Sequence, residues 1–166
     1  MKVIVAIDDS PHSVELINSV VSRKWPANVE FKILTVIEPI CNCFDDSAAA
    51  NFSETIAEIN LSRKKAVQTM NEKIWHKLEK HIPGAAIHCE TRLGIPRIEI
   101  INAAGEWQAD RILLGSHGYD VCPHNIMGSV SRAVVNHAPC SVEVVRSATR
   151  PARSAKKMTA ANKNHS

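Results

Sequence analysis

The chain has 166 residues, 45% of them hydrophobic, with 20 Lys and Arg against 17 Asp and Glu. That suffices for one domain with a core, and no run of about twenty apolar residues exists to span a membrane. The net charge of +3 is unevenly placed: residues 147–166 hold Arg150, Arg153, Lys156, Lys157 and Lys163 and no acid. The rest then carries fifteen bases against seventeen acids, a net of about −2, which argues against a nucleic-acid-binding face.

The first predicted strand, Lys2–Ile7, is a nearly continuous β-branched run, as expected for a central parallel strand buried on both faces. The start of the chain turns acidic too soon for a signal peptide, and a cytoplasmic protein is expected. Ser10 is a good N-cap and Pro11 a good first residue for a helix running to about Arg23, with Val14, Ile17, Val20 and Val21 on one side. Trp25-Pro26 breaks it, and a second strand follows over Val29–Val36.

Residues 38–50 form a long polar connection. Asn51-x-x-Glu54 has the form of a capping box for a long helix with Val67, Met70, Ile74 and Leu78 inside, stopped by Pro83-Gly84. Arg63-Lys64-Lys65 on that helix reads as a solvated face. A third strand is predicted over Ala85–Arg92. A helix then opens at Gly94-Ile95-Pro96, carries Ile98, Ile100, Ile101 and Ala104, and ends near Trp107. Arg111–Leu114 is the fourth strand, Ser129–His137 the last helix and Cys140–Val145 the last strand. Such alternation implies a parallel sheet with helices on both faces, whose ligands bind at the carboxyl ends of the strands. Asp8 and Gly115 both stand at such ends.

Five cysteines are no secreted disulfide framework, and Cys41-x-Cys43 lacks the second pair of a zinc site. Cys89 and Cys140 read as small core residues, Cys122 as a loop residue. The tail 147–166, rich in Ala, Ser and Asn, is expected to be disordered beside one domain over 1–146.

The most specific feature is Gly115-Ser116-His117-Gly118, then nine residues, then Gly128-Ser129-Val130-Ser131. Glycines let backbone N–H groups approach an anion, and a helix start adds free donors and a favourable dipole. It is neither a Walker loop nor a dinucleotide fingerprint. With Val5-Ala6-Ile7-Asp8-x-Ser10, Gly94-x-Pro96 and Ala109-Asp110-Arg111-Ile112-Leu113-Leu114, it resembles the universal stress protein family over residues 1–146.

That resemblance implies an open α/β fold, Rossmann-like and similar to the adenine nucleotide alpha hydrolases, with a five-stranded parallel sheet of order 3-2-1-4-5. In the family's ATP-binding branch, Asp8 would meet the ribose or adenine side and Val36 would offer backbone groups to the adenine. Gly115, His117 and Gly118 would line the ribose and first phosphate. Gly128, Ser129, Val130 and Ser131 would hold the outer phosphates. The resemblance also implies a homodimer through Cys140–Val145 and a regulatory, ATP-dependent role in stress signalling toward a protein partner not identified by the sequence. The loop Tyr119–Met127 departs from the pattern in having no Lys or Arg and an added Asp120. His124 and a bound Mg²⁺ would partly replace the missing charge.

Other readings stay open. Asp8 can cap the first helix, and Ser129 and Ser131 can be ordinary helix-start residues. His117 has no carboxylate or nucleophile near it in sequence, which favours a lining role over a general base. A nucleotide-free scaffold of the same fold is one alternative. An adenylyl-transferring enzyme is another, disfavoured because Asp8-Asp9-Ser10 lacks the glycine pair usual after the first strand of that class.

Overall fold

The computed structural model describes residues 1–40, 49–116 and 127–146, with the side chains of Pro11 and 49–54 left aside. The expectations for Cys41, Cys43, His117, Gly118, Tyr119, Cys122, His124 and the tail 147–166 fall outside these residues.

Five strands alternate with four helices: β1 (Lys2–Ile7), α1 (Pro11–Val21), β2 (Glu30–Ile37), α2 (Ala49–His81), β3 (Ala86–Leu93), α3 (Pro96–Trp107), β4 (Arg111–Gly115), α4 (Ser129–His137) and β5 (Ser141–Val145). The strands form one sheet of order β3-β2-β1-β4-β5, parallel throughout. The expected fold class is therefore found. Among the described residues no helix is long and apolar enough to cross a membrane.

The alternation of side chains along β1 feeds two cores. Val3, Val5 and Ile7 join Phe31, Ile33 and Leu113 beneath Leu16, Ile17 and Val20 of α1 and Leu78 of α2. Ile4 and Ala6 join Leu34, Ile112 and Leu114 against Ile100, Ala103 and Ala104 of α3 and Val134 of α4. A strand buried on both faces cannot show polar alternation, so the unbroken β-branched run was its proper signature.

Several local expectations change. Val14 is exposed, and Leu16 lies in the core instead. Ser13, Leu16, Ile17 and Val20 share one helical stripe, and Val14 lies off it. Ile98 is likewise exposed, and Ala103 takes the inner position on α3. α2 already includes Ala49, so Asn51 stands inside the helix and not at its cap. Cys89 is exposed, because β3 is an outer strand covered only in part by α2. Its Sγ does tuck against the helix, donating to the Asn71 carbonyl at 3.8 Å. Cys140 is half-buried beside the second core. Burial pushes both thiols above their usual range, the reverse of what a reactive thiolate needs.

At the starts of the strands the backbone closes on itself. Glu30 N–H donates to the Met1 carbonyl (2.9 Å), Asp110 N–H to the Lys2 carbonyl (2.9 Å) and Ala86 N–H to the Val29 carbonyl (3.3 Å). Lys2 N–H returns a bond to Asp110 Oδ2 (2.7 Å).

Candidate functional site

At the opposite end of the sheet, where β1, β2 and β4 finish, lies a cavity of about 360 Å³. It falls within the size range of small-molecule sites and at the place where the winding of the sheet reverses. Its floor is apolar, built from Ala6, Leu34, Val36, Pro96, Ile100 and Leu114. Its polar lining includes Asp8, Asp9, His12, Ser13, Glu38 and Arg63, and one side is the start of α4, Gly128 to Ser131.

The cavity thus brings together Asp8, Val36, Gly115, Gly128, Ser129, Val130 and Ser131, which are separated by up to 123 positions in sequence. Parallel pairing of β1 with β4 explains the meeting, since Ala6 is level with Leu114 and the next residues of both strands reach the same edge. Val36 lies one residue past Thr35, the partner of Ile7. His117 and Gly118 follow Gly115 but lie outside the described residues.

Asp8 does organise the turn into α1. Its Oδ1 accepts from Ser10 N–H (3.2 Å), Ser10 Oγ (2.5 Å) and Ser13 Oγ (2.7 Å), while Asp8 N–H donates to Ser13 Oγ (3.0 Å). Ser10 is the N-cap residue as expected, but its hydroxyl turns back to Asp8 and makes no capping bond to the helix. The capping and ligand-facing readings are compatible. One carboxylate oxygen fixes the turn, and Asp8 still lines the cavity.

The start of α4 carries the main electrostatic feature. Gly128 is its N-cap residue, with no side-chain cap. Gly128 N–H is spent on the Ser116 carbonyl (2.8 Å), and Arg132 N–H closes the first helical bond to the Gly128 carbonyl (3.0 Å). The amides of Ser129, Val130 and Ser131 have no backbone acceptor among the described residues. Three N–H groups at the positive end of a helix dipole, with no backbone acceptor among the described residues, therefore border the cavity. Such an arrangement binds an anion without needing a cationic side chain.

The hydroxyls contribute unequally. Ser131 is buried and donates to the Gly115 carbonyl at 2.7 Å, tying α4 to the end of β4. Ser129 is exposed. Gly128 has φ −56° and ψ 157°, a conformation open to any residue. Its value is the absence of a side chain at the mouth of the cavity, which allows close approach of a ligand to the backbone.

Arg63 is the residue that sequence reasoning missed. It belongs to the run read as solvated face, yet it lines the cavity, and its Nη1 donates to the Glu38 carbonyl at 2.8 Å. The only sequence signal was its basic character in a chain whose glycine loop has none. No group of three or more His, Cys, Asp or Glu able to hold a metal ion occurs among the described residues.

Comparison with known proteins gives a consistent result. The model of the "Universal stress protein family" matches residues 1–146. The universal stress protein Sll1388 of Synechocystis is 25% identical over 151 residues, covering 87% of this chain and 97% of the relative. The solved structure of hypothetical protein MJ0577 superposes with a TM-score of 0.76 at 23% identity, covering 90% of this chain and 97% of that one. A family protein from Arabidopsis thaliana, solved with AMP bound, gives a TM-score of 0.63 at 19% identity and covers 88% and 91%.

Proposed function

Because the chain belongs to the universal stress protein family, we propose that its cavity binds an adenine nucleotide, ATP with Mg²⁺, and that occupancy regulates its contacts with other proteins. The observation that carries this reading is the row of amides at Ser129, Val130 and Ser131, without a backbone acceptor among the described residues and bordering the same cavity as Asp8 and the apolar floor. The Arabidopsis relative with AMP bound lends support from outside the chain.

The residues fit the parts of such a ligand. Leu34, Val36 and Ile100 offer an apolar bed for a purine, with the backbone of Val36 at a strand end. Asp8 can accept from a ribose hydroxyl. Gly115, with His117 and Gly118 after it in sequence, would serve the ribose and first phosphate. The α4 amides would take the outer phosphates, the dipole offsetting part of their charge. Mg²⁺ would arrive bound to the ATP phosphates and neutralise part of their charge, the described residues offering no acidic cluster to hold it alone.

The regulatory step needs a surface whose state depends on the ligand. Gly128 to Ser131 connect the cavity to α4, and α4 leads directly to β5. Among the described residues β5 pairs only with β4, and its other edge would serve a second copy through Cys140–Val145. Nucleotide binding alters that equilibrium only to the extent that it favours one state.

Titration of nucleotide-free protein with ATP and AMP in the presence of Mg²⁺ tests the reading. Saturable binding to a single class of sites is expected. Folded protein that binds neither would favour the nucleotide-free scaffold.

A further inference from the structure

Backbone amides can seat an anion, but a full positive charge strengthens the contact, and the described lining offers very little. Asp8, Asp9 and Glu38 line the cavity, and Arg63 is the only Lys or Arg among its described lining residues. The sequence sharpens the point. The stretches that follow β2 and β4 in sequence and lie outside the described residues, 41–48 and 117–126, contain no Lys or Arg.

Arg63 is also held where it stands. It comes from the amino-terminal half of α2, where Val67 is the first buried apolar side chain among those described. The side chain is half-buried, and its Nη1 donates to the carbonyl of Glu38, one residue past the end of β2. A guanidinium has five N–H donors, and this bond uses one. The bond fixes the group at the cavity before any ligand arrives, which lowers the entropic cost of a later contact.

Resting on the nucleotide reading above, we propose that Arg63 is the site's cationic specificity residue, selecting phosphorylated nucleotides over nucleosides. The α4 amides supply fixed partial charge, and among the described lining residues Arg63 supplies the full positive charge that the glycine loop lacks. A neutral nucleoside gains little from it.

The test compares AMP and adenosine binding to the full-length chain and to the variants Arg63→Gln and Arg63→Lys, by calorimetry. Loss of a charge-assisted hydrogen bond should weaken AMP about tenfold in R63Q, while adenosine changes less than about twofold. R63K, which keeps the charge without the planar fork, should recover part of the AMP affinity. Equal weakening of AMP and adenosine in R63Q would overturn the proposal, showing that Arg63 only holds the Glu38 segment. Unchanged AMP binding in R63Q would overturn it while leaving the nucleotide reading intact. Wild-type protein that binds neither compound would overturn both. Circular dichroism and thermal melting of each variant keep loss of fold distinct from loss of binding.

Discussion

The two ends of the same sheet are built for opposite purposes. At the strand starts, Met1, Lys2, Val29 and Asp110 exchange backbone bonds until the edge is closed, and Lys2 and Lys32 Nζ lie 5.6 Å and 4.9 Å from the Trp107 ring centroid. At the strand ends, β4 also ties itself down, through Ser116 N–H to Val145 and Ser131 Oγ to Gly115. Yet three amides of α4 beside a cavity have no backbone acceptor among the described residues. Unpaired donors carry a cost, so a fold that closes one end and leaves the other open is ready for a ligand there. Stability and binding should therefore separate under mutation.

The largest effect belongs to the core that both ends share. Phe31 is fully buried on β2, with its ring edge-on to Trp25 at 5.1 Å. Phe31→Ala should cost about 3–5 kcal/mol in urea unfolding. At the open end, Gly128→Val should weaken ATP by more than about tenfold with little change in Tm, since Gly128 already has a conformation valine accepts. Equal ATP binding by wild type and this variant would remove α4 from the site. At the closed end, Asp110→Ala should lose about 1 kcal/mol of stability and leave ATP affinity unchanged.

The smallest effect is a pH dependence. Arg23 donates to Glu143 (2.5 Å) and Arg111 lies 3.5 Å from it, joining the turn after α1 to β4 and β5. The Arg23 hydrogen bond holds the Glu143 carboxyl below its usual range, winning over partial burial, which pushes the other way. A depressed carboxyl stabilises the fold above its unfolded pKa, and that contribution fades as pH falls through the folded value. Glu143→Gln should therefore lose well under about 1 kcal/mol at neutral pH, because the pair is a third exposed, and nothing below the folded pKa. Unfolding curves from pH 7 to pH 3 that stay parallel for both proteins would contradict this. Glu90 obeys the same sign: burial alone would raise it, but bonds from Lys32 and Arg92 bring it down.

Much of this architecture was legible in the sequence because it rests on local signals. The β-branched run of β1, the Ser10-Pro11 helix start and the strand-to-glycine junction after Leu114 each fix one element and its end. Parallel pairing then sends Asp8 and Gly115 to one edge. What escaped is tertiary. Arg63 lies off the core-facing stripe of α2, and only the path of that helix relative to the end of β2 shows that it reaches Glu38. Cys89 looked internal because β3 has strand character, but strand character does not tell an outer strand from a central one. Val14 looked internal because it is apolar, and only the stripe shared by Ser13, Leu16, Ile17 and Val20 excludes it.

The central claim is that the open end of the sheet, at the start of α4, is the anion seat. Amide ¹H–¹⁵N spectra of the full-length protein, recorded as ATP and Mg²⁺ are added, address it residue by residue. The account predicts that Ser129, Val130 and Ser131 shift most, with Asp8 and Val36 following, while Glu30, Ala86 and Asp110 at the closed end stay in place. Saturable shifts that leave the three α4 amides unmoved, or that gather at the strand starts, would contradict it.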